Sequence, residues 1–408
     1  MYVRSRPLDA SPGEVFHPPT APPRNGLARE QERGAAEALT SAFPRSAVVH
    51  DWLTVPGGSE KVLLELLRLL PRSDVFTSVC DRETWRDLVG DHAVHTSFLD
   101  RLPGARRHYP YLLPLMNAAF ESFDLGERDL VISSSHSCAK NVVTGPGTLH
   151  VCYCHTPMRH AWDGRFLAAE RPRRVQRGLM QPMLGRLRRQ DVVGALRPDL
   201  FVANSAYVAE RIGKYYRRPA QVIHPPVSVE RHLARPRAPE DYYLVLGRLV
   251  PYKRVDLAIA ACEALGRRLK IVGTGRARAR LMRQAGTTTE FAGYLSDEDV
   301  GRALSGARAL LFPGEEDFGI VPVEAQAAGV PVVAYGRGGA RETVIDGVTG
   351  VLHAEQTVRS LSEAILRFEQ MEFDEAVVRD NARRFGPARF REEMTGLLLE
   401  QAALRHDH

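Results

Sequence analysis

Short apolar segments alternate with helical segments along most of this chain, and this alternation restricts the fold more than any other feature. One series begins at Ala47–His50, and a second begins at Tyr242–Leu246 and includes Leu269–Val272. Strands that alternate with helices form parallel sheets with helices on both faces. Because 408 residues are too many for one core, we expect two such domains.

The alternation also predicts the boundaries of these domains. An N-terminal extension (1–45) precedes domains at 46–225 and 226–385, and a helical tail (386–408) follows. We expect disorder in about the first 25 residues, which are Pro-rich, before a helix at Leu27–Phe43. The Pro- and charge-rich stretch Pro225–Asp241 is predicted to be the linker and hinge. The other predicted strands are Asp74–Val79, Leu130–Ser134, His150–Cys154, Leu200–Asn204, Gln221–His224, Glu290–Ala292, Ala309–Phe312, Pro331–Ala334 and Gly350–Leu352.

Composition excludes several classes of protein. The chain is 44% hydrophobic and 25% charged, without a run of about 20 apolar residues that could span a membrane. Its five cysteines are scattered, so they indicate neither a disulfide framework nor a zinc site, and a reducing cytoplasm fits. The formal charge of +6 is carried mostly by arginine and is weak evidence for an anionic partner, so we expect no nucleic acid. The start of the chain does not have the pattern of a secretory signal.

The stretch Ala309–Leu352 carries the strongest indication of a binding site. A strand ends in Pro313-Gly314, an acidic loop follows, and a helix is predicted with Pro322 in its first turn and Gly329 at its end. Amides at a helix N-terminus attract anions. We therefore expect the N–H groups around Phe318, Gly319, Ile320 and Val321 to face a phosphate.

Two carboxylates flank that predicted anion site. Glu316 lies in the loop and Glu324 in the helix, while Gly336–Gly339 could let backbone approach a ligand. Amides for phosphate beside carboxylates for hydroxyls suit a sugar nucleotide.

These motifs resemble those of a known family. The pattern Glu316-x7-Glu324 with Phe318-Gly319, the run PVEAQAAGVPVVA and GG-x-x-E ending at Glu342 are similar to the retaining family 4 glycosyltransferases. The resemblance implies the GT-B fold, in which two Rossmann-like domains face a cleft and a C-terminal helix crosses back to the first. HDWL, GGSEK and YCHTPMR further resemble bacterial polysaccharide mannosyltransferases.

The first domain offers two candidate sites at predicted strand ends. Gly57-Gly58 lacks the G-x-G-x-x-G pattern of a dinucleotide site, and in the resembled family this loop lies under the donor diphosphate and sugar. His155 follows a predicted strand, and the family's corresponding histidine faces the donor sugar. His160 and Asp163 are weaker candidates.

The second domain begins with a strand followed by two candidate cations. Arg248 and Lys253 match a G-R-x4-K pattern of the family and could stabilise the charge that develops on a leaving diphosphate. The alternative is two solvated cations in an arginine-rich chain.

The resemblance then assigns the roles. His155, Arg248, Lys253 and Glu316 are the catalytic candidates, Glu324 would accept from ribose hydroxyls, and Glu316 would accept from the transferred sugar. We expect Lys253 and Glu324 to face solvent, because each lies at a loop or helix end. The leaving diphosphate itself would take the acceptor's proton. We expect neither cofactor nor metal ion, although Glu315-Glu316-Asp317 and His406–His408 are weak metal candidates.

The predicted activity is transfer of a hexose, with mannose from GDP-mannose preferred and a UDP-hexose as the alternative donor. The acceptor would be a glycan or a lipid-linked sugar in polysaccharide synthesis. A noncatalytic nucleotide-sugar binder is the alternative from another class of protein. Loss of a charged site residue would have supported it, but all four are present: Arg248, Lys253, Glu316 and Glu324. An epimerase and a phosphorylase also remain as alternatives, to be separated by product analysis.

A basic segment suggests contact with a membrane. Arg171–Gln190 carries seven arginines and no acid, with Val175, Leu179, Met183 and Leu187 along one side. Such a helix could lie on an anionic membrane at the inner face of the plasma membrane. Equally, its apolar side could face the protein core, and Pro182 and Gly185 would interrupt either helix.

Overall fold

A computed structural model describes residues 26–55, 57–164 and 174–406. The predicted disorder of the first 25 residues lies outside the described residues. Within them the chain forms two α/β domains, each built on a parallel sheet. Most of the predicted strands occur within one or two residues of their expected bounds.

The first domain contains a seven-stranded sheet in the order β3-β2-β1-β4-β5-β6-β7. Val94–Thr96 at its edge was not predicted, because three partly exposed residues give too short an apolar signal. The predicted strands Asp74–Val79 and Gln221–His224 were too long. The strands are β1 Ser46–His50, β2 Asp74–Thr77, β3 Val94–Thr96, β4 Leu130–Ser135, β5 Leu149–Cys154, β6 Leu200–Ala203 and β7 Gln221–Val222.

Helices cover both faces of this sheet, and the buried apolar residues lie between them and the strands. The α-helices up to the linker are Gly26–Ala42, Gly58–Leu69, Arg82–Val89, Ala105–His108, Leu113–Glu121, Arg159–Trp162, Arg174–Gly194 and Ala206–Tyr216, with 3-10 turns at Phe98–Arg101, Tyr109–Leu112 and Ala139–Asn141.

The second domain contains a six-stranded sheet in the order β10-β9-β8-β11-β12-β13. Its strands are β8 Tyr243–Leu246, β9 Leu269–Val272, β10 Thr289–Gly293, β11 Leu310–Phe312, β12 Val332–Tyr335 and β13 Gly350–His353. Its helices are Val255–Leu265, Arg278–Gln284, Asp297–Gly306, Ile320–Ala327, Ala340–Thr343, Val358–Glu369 and Glu375–Arg383, with a 3-10 turn at Pro251–Lys253.

The C-terminal helix Pro387–His406 returns to the first domain. Its Phe390, Met394 and Leu398 are fully buried in the core that also contains Leu39 of the first helix. Arg391 is buried and forms ion pairs with Glu65 and Glu32. The first helix and the C-terminal helix therefore both pack on the first domain.

The predicted linker Pro225–Asp241 is more ordered than its composition suggested. It contains the short helix Glu230–Leu233, and Val227 and Val229 are buried. The Val227 N–H donates to the Phe385 carbonyl oxygen at 2.9 Å, so the two chain crossings between the domains lie side by side. Together they form the connection about which the domains could rotate.

Candidate functional site

The candidate site lies where the carboxyl ends of both sheets meet. In each sheet the strand order reverses next to the first strand, between β1 and β4 and between β8 and β11. Open α/β sheets bind ligands in the crevice at this point. His50 ends β1, Arg248 follows β8 and the acidic loop follows β11, so both crevices supply polar side chains.

The acidic loop enters the helix Ile320–Ala327 through Gly319. Gly319 has a φ of +89°, and a Cβ there would lie 3.4 Å from the Phe312 ring, so glycine suits this position. The N–H groups of Gly319, Ile320 and Val321 donate to no other residue that the structure describes. They form a helix N-terminus that can receive an anion. Phe318, however, is 3% exposed, and its ring packs on His224 and Phe385.

Lys253 is held against Glu316, with the ammonium Nζ 2.9 Å from Glu316 Oε1. Two glycines leave the room for this lysine. A Cβ on Gly247 would lie 3.0 Å from Nζ, and one on Gly314 would lie 2.9 Å from the Lys253 Cα. The expected solvent-facing lysine is in fact a mostly buried cation, fixed by close packing beside the predicted sugar-binding carboxylate.

Arg248 stands at the same edge of the second domain and is exposed. Burial raises the pKa of the Tyr109 hydroxyl, and the charge of Arg248 opposes that increase. The charge of this guanidinium therefore acts on Tyr109 of the first domain. Among the described residues Arg248 forms no ion pair, which leaves its charge available in the cleft.

Glu324 is buried, in contrast to the exposed position expected from its place on a helix. Lys61 Nζ and Arg231 Nη2 both lie 3.1 Å from its Oε1. Burial alone would raise the pKa of Glu324, but these two cations and His232 lower it to about 2. Glu324 is thus a fixed negative charge, and Lys61 ties it to the first domain.

The first-domain loop at Gly57-Gly58 touches the start of the acidic-loop helix. A Cβ on Gly58 would lie 2.8 Å from Ile320 Cδ1. Glycine therefore lets the two domains approach at the predicted anion site. A Cβ on Gly57 would in turn meet Glu60 Oε2 at 2.9 Å.

His155 follows β5 and is 9% exposed. Its Nε2 lies 2.8 Å from Ser134 Oγ, and its carbonyl oxygen accepts from Asn204 Nδ2 at 2.9 Å. Burial and the neighbouring His136 and His50 hold its pKa well below the usual range. The ring is therefore neutral near pH 7 and can both donate and accept a hydrogen bond.

The weaker candidates His160 and Asp163 lie in and just after the short helix Arg159–Trp162. A residue that sequence reasoning missed, Arg159, makes the contact with the second domain. Its Nε lies 3.0 Å from Asp317 Oδ2, and Arg211 Nη1 lies 2.6 Å from Asp317 Oδ1. The two arginines lie 158 and 106 residues from Asp317 in the sequence, so no local pattern could reveal these ion pairs.

Two further carboxylates of the second domain bind the first. Glu315 Oε1 accepts from the Tyr207 hydroxyl at 2.8 Å. Glu342 accepts the backbone N–H groups of Ala206 and Tyr207 at 2.8 and 3.1 Å, at the start of the helix Ala206–Tyr216. The GG-x-x-E motif indicated that Glu342 mattered but not that it caps a helix of the other domain.

Gly338 and Gly339 pack against the backbone of the acidic loop. A Cβ on Gly338 would lie 2.3 Å from the Glu316 carbonyl oxygen, and one on Gly339 would lie 2.3 Å from the Phe318 Cα. At Gly338 and Gly339 the missing side chains therefore make room for the backbone of the acidic loop, and the approach of a ligand to Gly336–Gly339 stays a prediction.

Within the described ranges no group of three or more His, Cys, Asp or Glu side chains could hold a metal ion. Glu315 and Asp317, the weak metal candidates, contact Tyr207 and two arginines instead. Of the terminal His406–His408, the last two residues lie outside the described part. No described helix is long and apolar enough to cross a membrane.

The basic helix Arg174–Gly194 is continuous through Pro182 and Gly185, contrary to expectation. Its side chains up to residue 180 lie outside the described ones. Beyond them Leu187 is buried and Met183 packs against the first-domain core. Arg188 Nε donates to the Ala161 carbonyl oxygen at 2.7 Å. This part of the apolar side faces the protein, as the second interpretation of the segment predicted.

Comparison with known proteins gives matches along both domains. The family model described as Glycosyltransferase Family 4 matches residues 56–231, and the model described as Glycosyl transferases group 1 matches residues 231–385. The two matches adjoin and together extend over both sheets.

Curated relatives match in part. An uncharacterized glycosyltransferase of Methanocaldococcus jannaschii is 27% identical over 192 residues, which are 46% of this chain and 54% of that protein. A glycogen synthase of Mycobacterium tuberculosis is 38% identical over 142 residues, 32% of this chain and 34% of that protein. The chain thus spans about half, or less, of the length of these relatives.

A solved structure matches over nearly its whole length. Anabaena HepE in complex with UDP has a TM-score of 0.64 at 17% identity, covering 87% of this chain and 100% of that one. HepE has also been solved with UDP-glucose. A likeness at this identity shows the fold alone, and it confirms the predicted GT-B architecture. This chain therefore has the GT-B fold, with a first domain that matches the Glycosyltransferase Family 4 model and a second domain that matches the Glycosyl transferases group 1 model.

Proposed function

We propose that this chain transfers a hexose from a nucleotide sugar to a hydroxyl of a glycan or lipid-linked acceptor, with retention at the anomeric carbon. One observation carries the proposal. The free amides of Gly319–Val321, the exposed Arg248 and the Lys253–Glu316 pair lie at the same sheet crevice, opposite Gly58. This arrangement provides an anion site directly beside a carboxylate that can accept from sugar hydroxyls.

In this proposal the positive groups act on the leaving diphosphate. The charge on the diphosphate grows as the glycosidic bond breaks, and the two cations and the helix N-terminus stabilise it most in the transition state. Lys253 needs no rearrangement, because Gly247 and Gly314 already hold it in place. The diphosphate oxygen accepts the proton of the incoming hydroxyl on the same face of the sugar.

The carboxylates bind hydroxyls of the donor. Lys61 and Arg231 both contact Oε1 of Glu324 and leave Oε2 for the ribose hydroxyls. Glu316 in turn accepts from the transferred sugar while Lys253 offsets its charge. Neither carboxylate is assigned a covalent role, and no metal ion is required for these steps.

Two donors are supported by different observations. GDP-mannose is favoured by the resemblance of HDWL, GGSEK and YCHTPMR to mannosyltransferases, and a UDP-hexose is favoured by the UDP-glucose complex of the Anabaena neighbour. A thermal-shift panel of GDP, UDP and ADP sugars tests the proposal, because a ligand that binds only the folded state raises its melting temperature. No shift with any nucleotide sugar would contradict it.

Contact with an anionic membrane is the remaining part of the proposal. In the described part of the basic helix, Arg186 and Arg189 are exposed while the apolar side is covered. The contact would therefore be electrostatic and sensitive to salt, without insertion of the helix. Replacing Arg186 and Arg189 with glutamine should reduce sedimentation with anionic liposomes. Arg188 is unsuitable for this test because it donates to Ala161.

A further inference from the structure

A chain of buried polar groups leads from His155 into the first domain. Its Nε2 lies 2.8 Å from Ser134 Oγ, which lies 3.1 Å from His50 Nδ1. His50 Nε2 is 3.5 Å from Glu60 Oε1, a contact between the ring and the carboxylate without hydrogen-bond geometry. His50 and Ser134 are fully buried, and Glu60 is 5% exposed.

The sheet brings these residues together from distant parts of the sequence. His50 pairs with Ser134 in the register of β1 and β4, and His155 follows β5, which is the next strand. Glu60 lies in the first turn of the helix that begins at Gly58. The chain of contacts therefore connects the predicted sugar-facing histidine with the glycine loop that touches Ile320.

The charge of Glu60 decides which groups in this chain of contacts donate and which accept. Burial alone would raise the pKa of Glu60, but His50 and the Ser59 hydroxyl bring it below its usual value, so Glu60 is a carboxylate. The lone pairs of the Glu60 carboxylate repel an unprotonated nitrogen, which places a proton on His50 Nε2. An imidazolium would need an acceptor at both nitrogens, and Nε2 has no partner in hydrogen-bond geometry, so this fully buried ring carries one proton and accepts at Nδ1.

The Ser134 hydroxyl then determines which nitrogen of His155 carries the proton. Ser134 has one proton, and donating it to His50 Nδ1 leaves its oxygen to accept. The partner at Nε2 of His155 must then be an N–H. The neutral His155 consequently carries its proton on Nε2, while Nδ1 is an acceptor that bonds to no residue among those described.

We propose that Ser134, oriented by His50, is a positioning residue that fixes His155 as the Nε2–H tautomer. His155 then presents an acceptor nitrogen to the cleft, where it takes a hydrogen bond from a ligand hydroxyl and disfavours an unprotonated phosphate oxygen. Identification of that hydroxyl as part of the donor sugar rests on the proposed function.

The adjacent residue provides a matched control. Ser133 Oγ lies 2.9 Å from His150 Nε2, and both residues are fully buried. Successive strand residues face opposite sides of a sheet, so this pair has the same chemistry on the other face. Ser133→Ala and Ser134→Ala each remove one buried serine–histidine bond, and only the second one reaches His155.

The first measurement is the histidine ¹⁵N spectrum of the wild-type protein, with the His155 signals assigned from His155→Gln. We expect protonated Nε2 and unprotonated Nδ1 near neutral pH. Ser134→Ala should shift these signals towards a mixture of tautomers, and Ser133→Ala should leave them unchanged. Protonation at Nδ1 in the wild type would overturn the proposal without any reference to activity.

The second measurement is transfer with the best nucleotide-sugar donor. Ser134→Ala should lower kcat/KM about tenfold, the value for one lost hydrogen bond, and Ser133→Ala should change it less than about twofold. Equal losses in the two variants would overturn the positioning role. If the wild-type spectrum shows the expected tautomer but no donor is turned over, the tautomer assignment stands and the proposed function fails.

Discussion

The ammonium of Lys61 in the first domain lies 3.1 Å from the carboxylate of Glu324 in the second. Glu324 is 6% exposed, so this contact is a buried ion pair between domains. Arg231 shares the same oxygen. A residue expected only to bind ribose therefore also holds the cleft closed.

The first prediction concerns Glu324 and stability. Glu324→Gln should lower the free energy of unfolding by on the order of 3 kcal/mol at pH 7, because two cations lose their buried partner. The pKa of Glu324 in the folded protein is lowered to about 2, so the stabilisation is present above its unfolded pKa of about 4.5.

Urea unfolding from pH 7 towards pH 3 checks this prediction. The difference between wild type and variant should shrink as the pH falls below about 4.5 towards the folded pKa. Glu298→Gln, in an exposed pair within one helix, is the control and should cost little. A difference for Glu324→Gln that does not depend on pH would contradict the account.

The second prediction concerns the glycines behind the acidic loop. Gly339→Ala should destabilise the protein by about 1–3 kcal/mol and reduce transfer, because its Cβ would overlap the Phe318 backbone. Gly213→Ala, in an open position of a helix, should stabilise by about 0.5–1 kcal/mol. Melting curves and transfer rates of both variants test this, and a fully active, stable Gly339→Ala would refute it.

The sequence predicted the two parallel sheets because buried strands such as Tyr243–Leu246 have continuous apolar segments bounded by turns. It also indicated Lys253, Glu316 and Glu324 through their local motifs. Their partners were not predictable, since Lys61 and Glu324 are 263 residues apart and meet only when the domains close. The prediction that Glu324 is exposed was wrong for the same reason. A helical position says nothing about what the other domain covers.

A third prediction concerns closure of the domains. Replacing both Arg159 and Arg211 with alanine leaves the Asp317 carboxylate without its two cations, so the cleft should open. Small-angle scattering should show a larger radius of gyration, which a bound donor nucleotide partly reverses. The exposed Arg302 is a suitable control position, and Arg302→Ala should scatter like the wild type. An unchanged profile for the double variant would argue against closure through Asp317.

A fourth prediction is that transfer does not depend on a divalent ion. In the proposed function Arg248 and Lys253 supply the positive charge at the diphosphate, while Glu315 and Asp317 are engaged by Tyr207 and two arginines. Transfer should therefore survive excess EDTA. Loss of activity on chelation, restored by magnesium or manganese, would contradict this and would point to those carboxylates as ligands.

The most direct test of the central claim is transfer from a labelled nucleotide sugar by the purified protein and by Lys253→Ala. Loss of a charge-assisted contact of about 1.5–3 kcal/mol predicts a fall in kcat/KM of at least about tenfold. Lys270→Ala, in the same domain but paired with Glu290, should retain wild-type transfer. The account predicts that the wild-type protein releases nucleoside diphosphate and transfers an equal amount of sugar. Of the two variants, only Lys253→Ala should lose this activity. Undiminished transfer by Lys253→Ala would contradict it.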